Sequence, residues 1–287
     1  MPPSFTIEQV TEQTVEATKR FLLGYEDSSM FLLGNLEAHG FKLTEAANSG
    51  NYRIVKNGER IVGVFSLTRR GNLLVQSEVA DLIFEQILSA CSDDRIQIKG
   101  LLSEWDFAHK FWVCLRKKKI IQKENFMSKE VLYSLKLDGK APSGDQKVRL
   151  LQESDFDQYK PLHLSYLAEE KLPNELTDKQ LRETFMDKVR AKTAWGYFLL
   201  GGELVSIGLL NAKAVGLGQI GGVFTTLKSR RKGYSKQTML KLIQDSNSSL
   251  GIKKLLLFTG EKNIAAQRLY QSLGFKRIGH YALLFGE

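Results

Sequence analysis

The chain has 287 residues, 43% of them hydrophobic and 25% charged, with a formal net charge of +9 and two cysteines. This length suits two domains with separate cores, and the composition is that of an ordinary soluble globular protein. No run of about 18 apolar residues occurs, which excludes a membrane-spanning helix; the opening MPPSFTIEQV also lacks a charged-then-apolar leader, so a cytoplasmic protein is expected.

In the first half, apolar spacing predicts helices over 8–23 and 30–38. The runs at 52–56 and 60–65, joined by Asn57-Gly58, read as a β-hairpin. A strand over 72–76, a helix over 79–90, a strand over 96–101, a helix over 105–118 and a closing strand over 129–137 complete this half. Cys91 and Cys114 fall within the helical patterns, as buried thiols of a reducing compartment would. The four cations from Arg116 to Lys119 stand at a helix end, where they suit the dipole.

Residues 139–146 form the best linker, because everything in 138–145, Asp-Gly-Lys-Ala-Pro-Ser-Gly-Asp, disfavours helix and strand. It separates expected domains at 1–138 and 147–287. The second half repeats the order of the first. It has a strand at 148–150, a helix over 155–170, then Pro173 and a helix over 178–190 capped by Thr177. A hairpin pairs 195–200 with 204–210. Further on come a strand from Gln219 to Thr225, a helix from Tyr234, a strand over 254–258, a helix over 264–272 and a strand over 277–285. The fold class is therefore α/β, with two tandem copies of one mixed-sheet unit flanked by helices.

The copies align residue against residue. Asn57-Gly58-Glu59-Arg60-Ile61-Val62 lies over Gly201-Gly202-Glu203-Leu204-Val205-Ser206, an offset of 144. Ala108, Phe111, Trp112 and Leu115 lie over Ala266, Leu269, Tyr270 and Leu273, an offset of 158. The second copy thus carries about 14 extra residues, expected between the hairpin and the fifth strand. That region holds a polar turn with Lys228, Arg230, Arg231 and Lys232, ending on Gly233 before a helix. A helix N-terminus offers unpartnered amides and a favourable dipole to an anion, and glycine permits close approach. Charge is skewed the same way: 19 basic against 18 acidic residues occupy positions 1–143, and 22 against 14 the remainder. The aromatics of the second half do not interleave with its cations, which argues against nucleic acid and for a small polyanion.

There is no GxxxxGK[ST] and no GxGxxG. What stands is Arg230-x-x-Gly233-x-Ser235, which resembles the pyrophosphate loop of the GCN5-related N-acetyltransferase (GNAT) superfamily, with Ser235 where glycine or alanine is usual. Downstream, Asn263, Ala266, Leu269, Tyr270, Leu273, Gly274 and Phe275 resemble the family's second signature. The resemblance covers about the last 145 residues; the first 140 match in layout only, as a degenerate copy without the loop. It implies acetyl-CoA as cofactor and a small-molecule or peptide amine as acceptor. The backbone of Val223, Phe224 and Thr225 would bind the pantetheine arm, and so would Asn263. The amides of Arg231, Lys232, Gly233, Tyr234 and Ser235, with the side chains of Arg230 and Lys236, would take the pyrophosphate. Tyr270 would protonate the leaving thiolate, while a fourth-strand amide stabilises the oxyanion.

Each assignment has a plainer reading. Tyr270 could only pack, Asn263 could only cap its helix, and Gly274 is a helix end. His163, Glu169 and Glu170 lie near the expected acceptor side, but no general base is assigned. A non-catalytic acyl-CoA sensor is the alternative function. The chain is expected to be a monomer or homodimer. The four histidines and two cysteines show no metal-ligand spacing, so no metal site is expected.

Overall fold

The computed structural model describes residues 4–79, 81–137, 144–172 and 176–287. Positions 139–143 of the expected linker, and Pro173, lie outside the described residues. The chain divides into two compact units. One comprises Met1–Leu132, Gly260–Lys262 and Ile278–Glu287, the other Tyr133–Thr259 and Asn263–Arg277. Each is a mixed sheet flanked by helices.

In chain order the first half supplies β1 (Phe5–Gln9), α1 (Val15–Gly24), α2 (Met30–His39), β2 (Gly50–Asn57), β3 (Arg60–Thr68), β4 (Asn72–Ser77), α3 (Phe84–Ser92), β5 (Gly100–Glu104), α4 (Trp105–Lys117) and β6 (Glu124–Lys136). The second supplies β7 (Val148–Leu150), α5 (Phe156–Glu169), α6 (Asp178–Arg190), β8 (Ala194–Phe198), β9 (Leu204–Ala214), β10 (Leu217–Thr225), α7 (Tyr234–Ser248), β11 (Lys254–Gly260), α8 (Ile264–Ser272) and β12 (Lys276–Gly286).

Where local chemistry is strong, the expected elements form. Thr177 caps α6 in a reciprocal box: its hydroxyl accepts from the Gln180 amide and the Gln180 side chain accepts from the Thr177 amide. Two expectations are corrected. Residues 8 and 9, read as the start of the helix over 8–23, belong instead to β1, because Phe5–Gln9 pairs antiparallel with β2, from Phe5↔Asn57 to Gln9↔Arg53. The fifth strand begins at Gly100 rather than at 96, because the amides of Lys99 and Gly100 are drawn to the Gly71 carbonyl.

In the first unit the strands run β1-β2-β3-β4-β5-β12. β12 pairs antiparallel with β5, from Tyr281↔Glu104 to Phe285↔Gly100. Ala282 and Leu284, fully buried, belong to the same core as Phe65, Phe111, Trp112 and Leu115. In the second unit the order is β11-β10-β9-β8-β7. Its core on the α5 and α6 side gathers Phe156, Tyr159, Phe185, Ile207, Leu209 and Phe224. On α7, Met239, Leu242 and Ile243 are buried. Tyr133 to Lys136, the end of β6, belong to this unit as well.

The repeat is visible in buried polar chemistry. In the first unit Asp94, after α3, accepts from Asn51 and, bidentately, from Arg53 on β2. In the second, Asp245 on α7 accepts from Trp195 on β8 at 2.8 Å. Asn51 and Trp195 differ by the same 144 positions as the hairpins. The extra residues of the second copy lengthen elements between its hairpin and its fifth strand. α7 has 15 residues against 9 in α3, and β10 has 9 against 6 in β4.

The last ten residues thus complete the first unit. Removing 278–287 deletes Tyr281, Ala282 and Leu284 from its interior, a loss expected to exceed about 4 kcal/mol. In native-state hydrogen exchange the truncated chain should lose protection across β3 to β5, 174 to 227 positions away by sequence; protection unchanged there would contradict the assignment.

Candidate cofactor site

The site grows from a change of pairing along β10. This strand pairs parallel with β11 from Leu217↔Lys254 to Ile220↔Leu257, and the ladder stops there, five residues before β10 ends at Thr225. On its other edge β10 pairs with β9, but the register slips between Gly221↔Leu209 and Phe224↔Ile207, leaving Gly222 and Val223 outside it. This is a β-bulge, which bends a strand and re-aims its backbone. Only glycine suits position 222. Its φ is +60°, and a Cβ there would lie 2.8 Å from the Leu209 side chain. The Ser206 hydroxyl fixes the bulge's far side, donating to the Phe224 carbonyl at 3.1 Å and accepting from Thr225 at 2.9 Å.

Beyond Thr225 a single 3₁₀ turn (Leu227–Ser229) leads into Arg230 and then α7. Arg231 holds a left-handed φ of +61° and Gly233 one of +81°, so the chain curls immediately before the helix. A non-glycine residue in this region is strained, a state typical of ligand-binding loops. No backbone N–H from Arg231 to Lys236 has an acceptor among the described residues. Nothing lies within 4 Å of where a Gly233 Cβ would be, so the concavity is open. Lys228, Arg231, Lys232 and Lys236 are exposed and make no ion pair among the described residues. Successive free amides, a helix N-terminus and unneutralised cations form an anion cradle.

Two of the expected ligands are held otherwise. Arg230 donates through Nε to the Thr225 carbonyl at 3.1 Å and through Nη2 to Glu169 at 2.5 Å, with its guanidinium 5.3 Å from the Phe224 ring centre. Asn263 caps α8: its Oδ1 accepts from the Ala266 amide at 3.1 Å, and its Nδ2 donates to Glu170 at 3.3 Å. Consecutive carboxylates at the end of α5 therefore reach the loop after β10 and the turn after β11, one on each side of the gap. Sequence reading placed Glu169 and Glu170 nearby but had no signal for either partner.

Tyr270 lies on the buried face of α8, 7% exposed, with its ring 6.1 Å from both Tyr133 and Phe275. On α5, His163 stacks on Tyr159, and the Nδ1 atom of His163 is buried without a partner. Burial, and secondarily the charge of Lys188, depress the His163 imidazole to about 4. Burial also lowers the Lys188 ammonium to about 8, where it donates to the Leu210 carbonyl at 3.2 Å. The Glu170 carboxyl is raised by burial and by Glu169, against the hydrogen bond from Asn263. Gln219 Oε1 and Thr226 Oγ1, at the two ends of the gap-lining segment, are buried without partners.

Residues 156–275 match the sequence profile of the acetyltransferase (GNAT) family. That segment is matched as a GNAT domain. Solved structures extend the fold over the whole chain. A GCN5-related N-acetyltransferase from Sphaerobacter thermophilus is 13% identical with a TM-score of 0.61, covering 98% of this chain and 94% of its own. A Drosophila protein is 15% identical with a TM-score of 0.67, covering 98% and 99%. A tandem GNAT protein from the clavulanic acid biosynthesis pathway is 13% identical with a TM-score of 0.50, covering 98% of each chain. No curated protein matches the chain significantly. The family's co-substrate is acetyl-CoA, and the cradle's donors suit its diphosphate. Among the described residues no helix is long and apolar enough to cross a membrane, and no group of three metal-ligating side chains occurs.

Two measurements follow from this geometry. The Glu169–Arg230 pair competes with any anion for the guanidinium, and a part-exposed pair is worth at most about 1 kcal/mol. Glu169→Gln should therefore tighten coenzyme A binding up to about fivefold by calorimetry, whereas weaker binding would mark the pair as a brace. For His163, the folded state resists a proton that the unfolded chain accepts below pH about 6.5. Stability present above that pH should be lost as pH falls toward 4, by at most about 3 kcal/mol. Urea midpoints at pH 7 and 4.5 should differ less for His163→Leu than for the parent chain.

Proposed function

We propose that this protein transfers an acetyl group from acetyl-CoA to a primary amine, with the chemistry in the second copy. The observation that carries the reading is the run of unpartnered amides from Arg231 to Lys236, ringed by unpaired cations, at the mouth of the gap between β10 and β11.

Within this reading the chain's own groups divide the work. The amides of Arg231 to Ser235 and the Lys236 ammonium neutralise the diphosphate. Arg230 contributes as its tie to Glu169 loosens. The backbone of Val223, Phe224 and Thr225, freed on the β11 side, lies along the pantetheine arm as a strand would. Asn263, already oriented by the Ala266 amide and Glu170, borders the same arm. Bound acetyl-CoA supplies the thioester carbonyl that the amine attacks. A backbone N–H of the bulge then donates to the carbonyl oxygen as charge grows there, a contribution typically worth about 3 kcal/mol. Tyr270 donates its phenolic proton to the departing sulfur, which is possible at neutral pH because a phenol ordinarily stays protonated until pH about 10; the proton shed by the attacking nitrogen passes to solvent water, from which the phenolate is reprotonated.

Thiol release from acetyl-CoA, followed with a panel of amines, tests the whole scheme. Tyr270→Phe should lower turnover at least tenfold while leaving the acetyl-CoA dissociation constant within about twofold. Reversing charge at Arg231 and Lys232 together should weaken coenzyme A binding at least tenfold. Wild-type binding in that double variant would overturn the cofactor assignment, and wild-type turnover in Tyr270→Phe would overturn the acid.

A further inference from the structure

The residue assigned as acid is held by a side chain that its own copy does not supply. Tyr270 is packed between two rings. Phe275 comes from the same copy, five residues on, at 6.1 Å and an interplanar angle of 60°. The other ring is Tyr133, at 6.1 Å and 62°, an edge-to-face arrangement. Tyr133 lies on β6, which by sequence closes the first copy, yet it belongs to the compact unit that contains α8. It is fully buried, and its hydroxyl donates to Gln267 Oε1 at 3.4 Å, one helical turn before Tyr270. Tyr133 thus grips α8 at two points, the ring of Tyr270 and the side chain of Gln267.

The matching place in the first unit is filled differently. There Trp112 stands where Tyr270 would, donating through Nε1 to Glu124 at 2.9 Å. The strand beside it, β12, presents Gly286, where even a Cβ would come within 3.4 Å of the indole. A glycine thus passes the indole in the first unit, whereas an aromatic ring lies beside the phenol in the second.

We propose that Tyr133 is a positioning residue for Tyr270, fixing the direction of the phenol from a strand contributed by the other copy. A phenolic hydroxyl rides on two side-chain torsions, and proton donation requires it within about 2.6–3.2 Å of its target. Small errors of placement in such a group cost rate far more than binding. The inference rests on the reading of Tyr270 as the acid.

The test uses the full chain with Tyr133→Ala, Tyr133→Leu, Tyr133→Phe, Tyr270→Phe and the double variant Tyr133→Ala/Tyr270→Phe. Tyr133→Ala should lower kcat at least tenfold, leave acetyl-CoA affinity within about twofold, and shift the alkaline limb of the pH–rate profile. Tyr133→Phe, which keeps the ring, should restore kcat to within about threefold of the parent. Because Tyr133 acts through Tyr270, the double variant should be no slower than Tyr270→Phe alone. If Tyr133→Ala does not fold, Tyr133→Leu provides the same comparison with a filled core. Multiplying losses in the double variant, or parental kcat and pH profile in Tyr133→Ala or Tyr133→Leu, would overturn the proposal. Parental turnover in Tyr270→Phe would instead sink the acid reading itself, and the two failures are separable in one set of assays.

Discussion

The second unit depends on a ladder that stops. Parallel pairing between β10 and β11 holds for four residues, and past Ile220↔Leu257 β10 continues without it. Backbone groups left without a strand partner inside a domain are expensive unless something else satisfies them. The fold supports the opening with a bulge at Gly222 and Val223, anchored by Ser206, so that β10 bends rather than unravels. Everything the site uses is placed by this bend: the loop that follows Thr225, the curl at Arg231 and Gly233, and the N-terminus of α7.

The first unit treats the corresponding place differently. There β4 and β5 pair from Asn72↔Gly100 to Leu74↔Leu102, and the next step is bridged by the Ser103 hydroxyl, which donates to the Val75 carbonyl at 2.7 Å. β4 runs only to Ser77 and is followed by Glu78 and Asp81 where the second copy has cations. The Glu78 carboxylate is engaged by Tyr25 and Arg60. This copy thus has a shorter strand, a side-chain bridge and an acidic turn where the second has the basic loop. The two copies differ in geometry as well as in sequence motif.

How much of this was legible beforehand follows from the range of the interactions involved. The Thr177 box, the helix over 178–190 and the strand–turn–helix around Gly233 are local, and the sequence pattern carries them. Tyr270 and Asn263 fall on α8 as expected, with Asn263 capping it, because a periodic apolar face fixes a helix. The missed features are long-range. β1 forms because β2 lies beside it, and alternation over five residues was too short to outweigh the helical run that follows. The ties from Glu169 and Glu170 span 61 and 93 positions, and no spacing rule links a helix end to a loop so distant. Tyr133 is farther still from the helix it grips.

That distance bears on what the first copy contributes. Neither compact unit is made of one contiguous half: the end of β6 belongs with the second, and the end of β12 with the first. A copy that served no purpose beyond its own core would be free to drift toward any stable packing. Here its final strand carries Tyr133 into the unit that holds α8, and its own core requires Ala282 and Leu284 from the chain's last strand. Each half therefore lacks buried side chains until the other is present. On this view duplication did not leave an idle domain beside a working one. It left a single folding problem whose solution keeps the phenol on α8 in place.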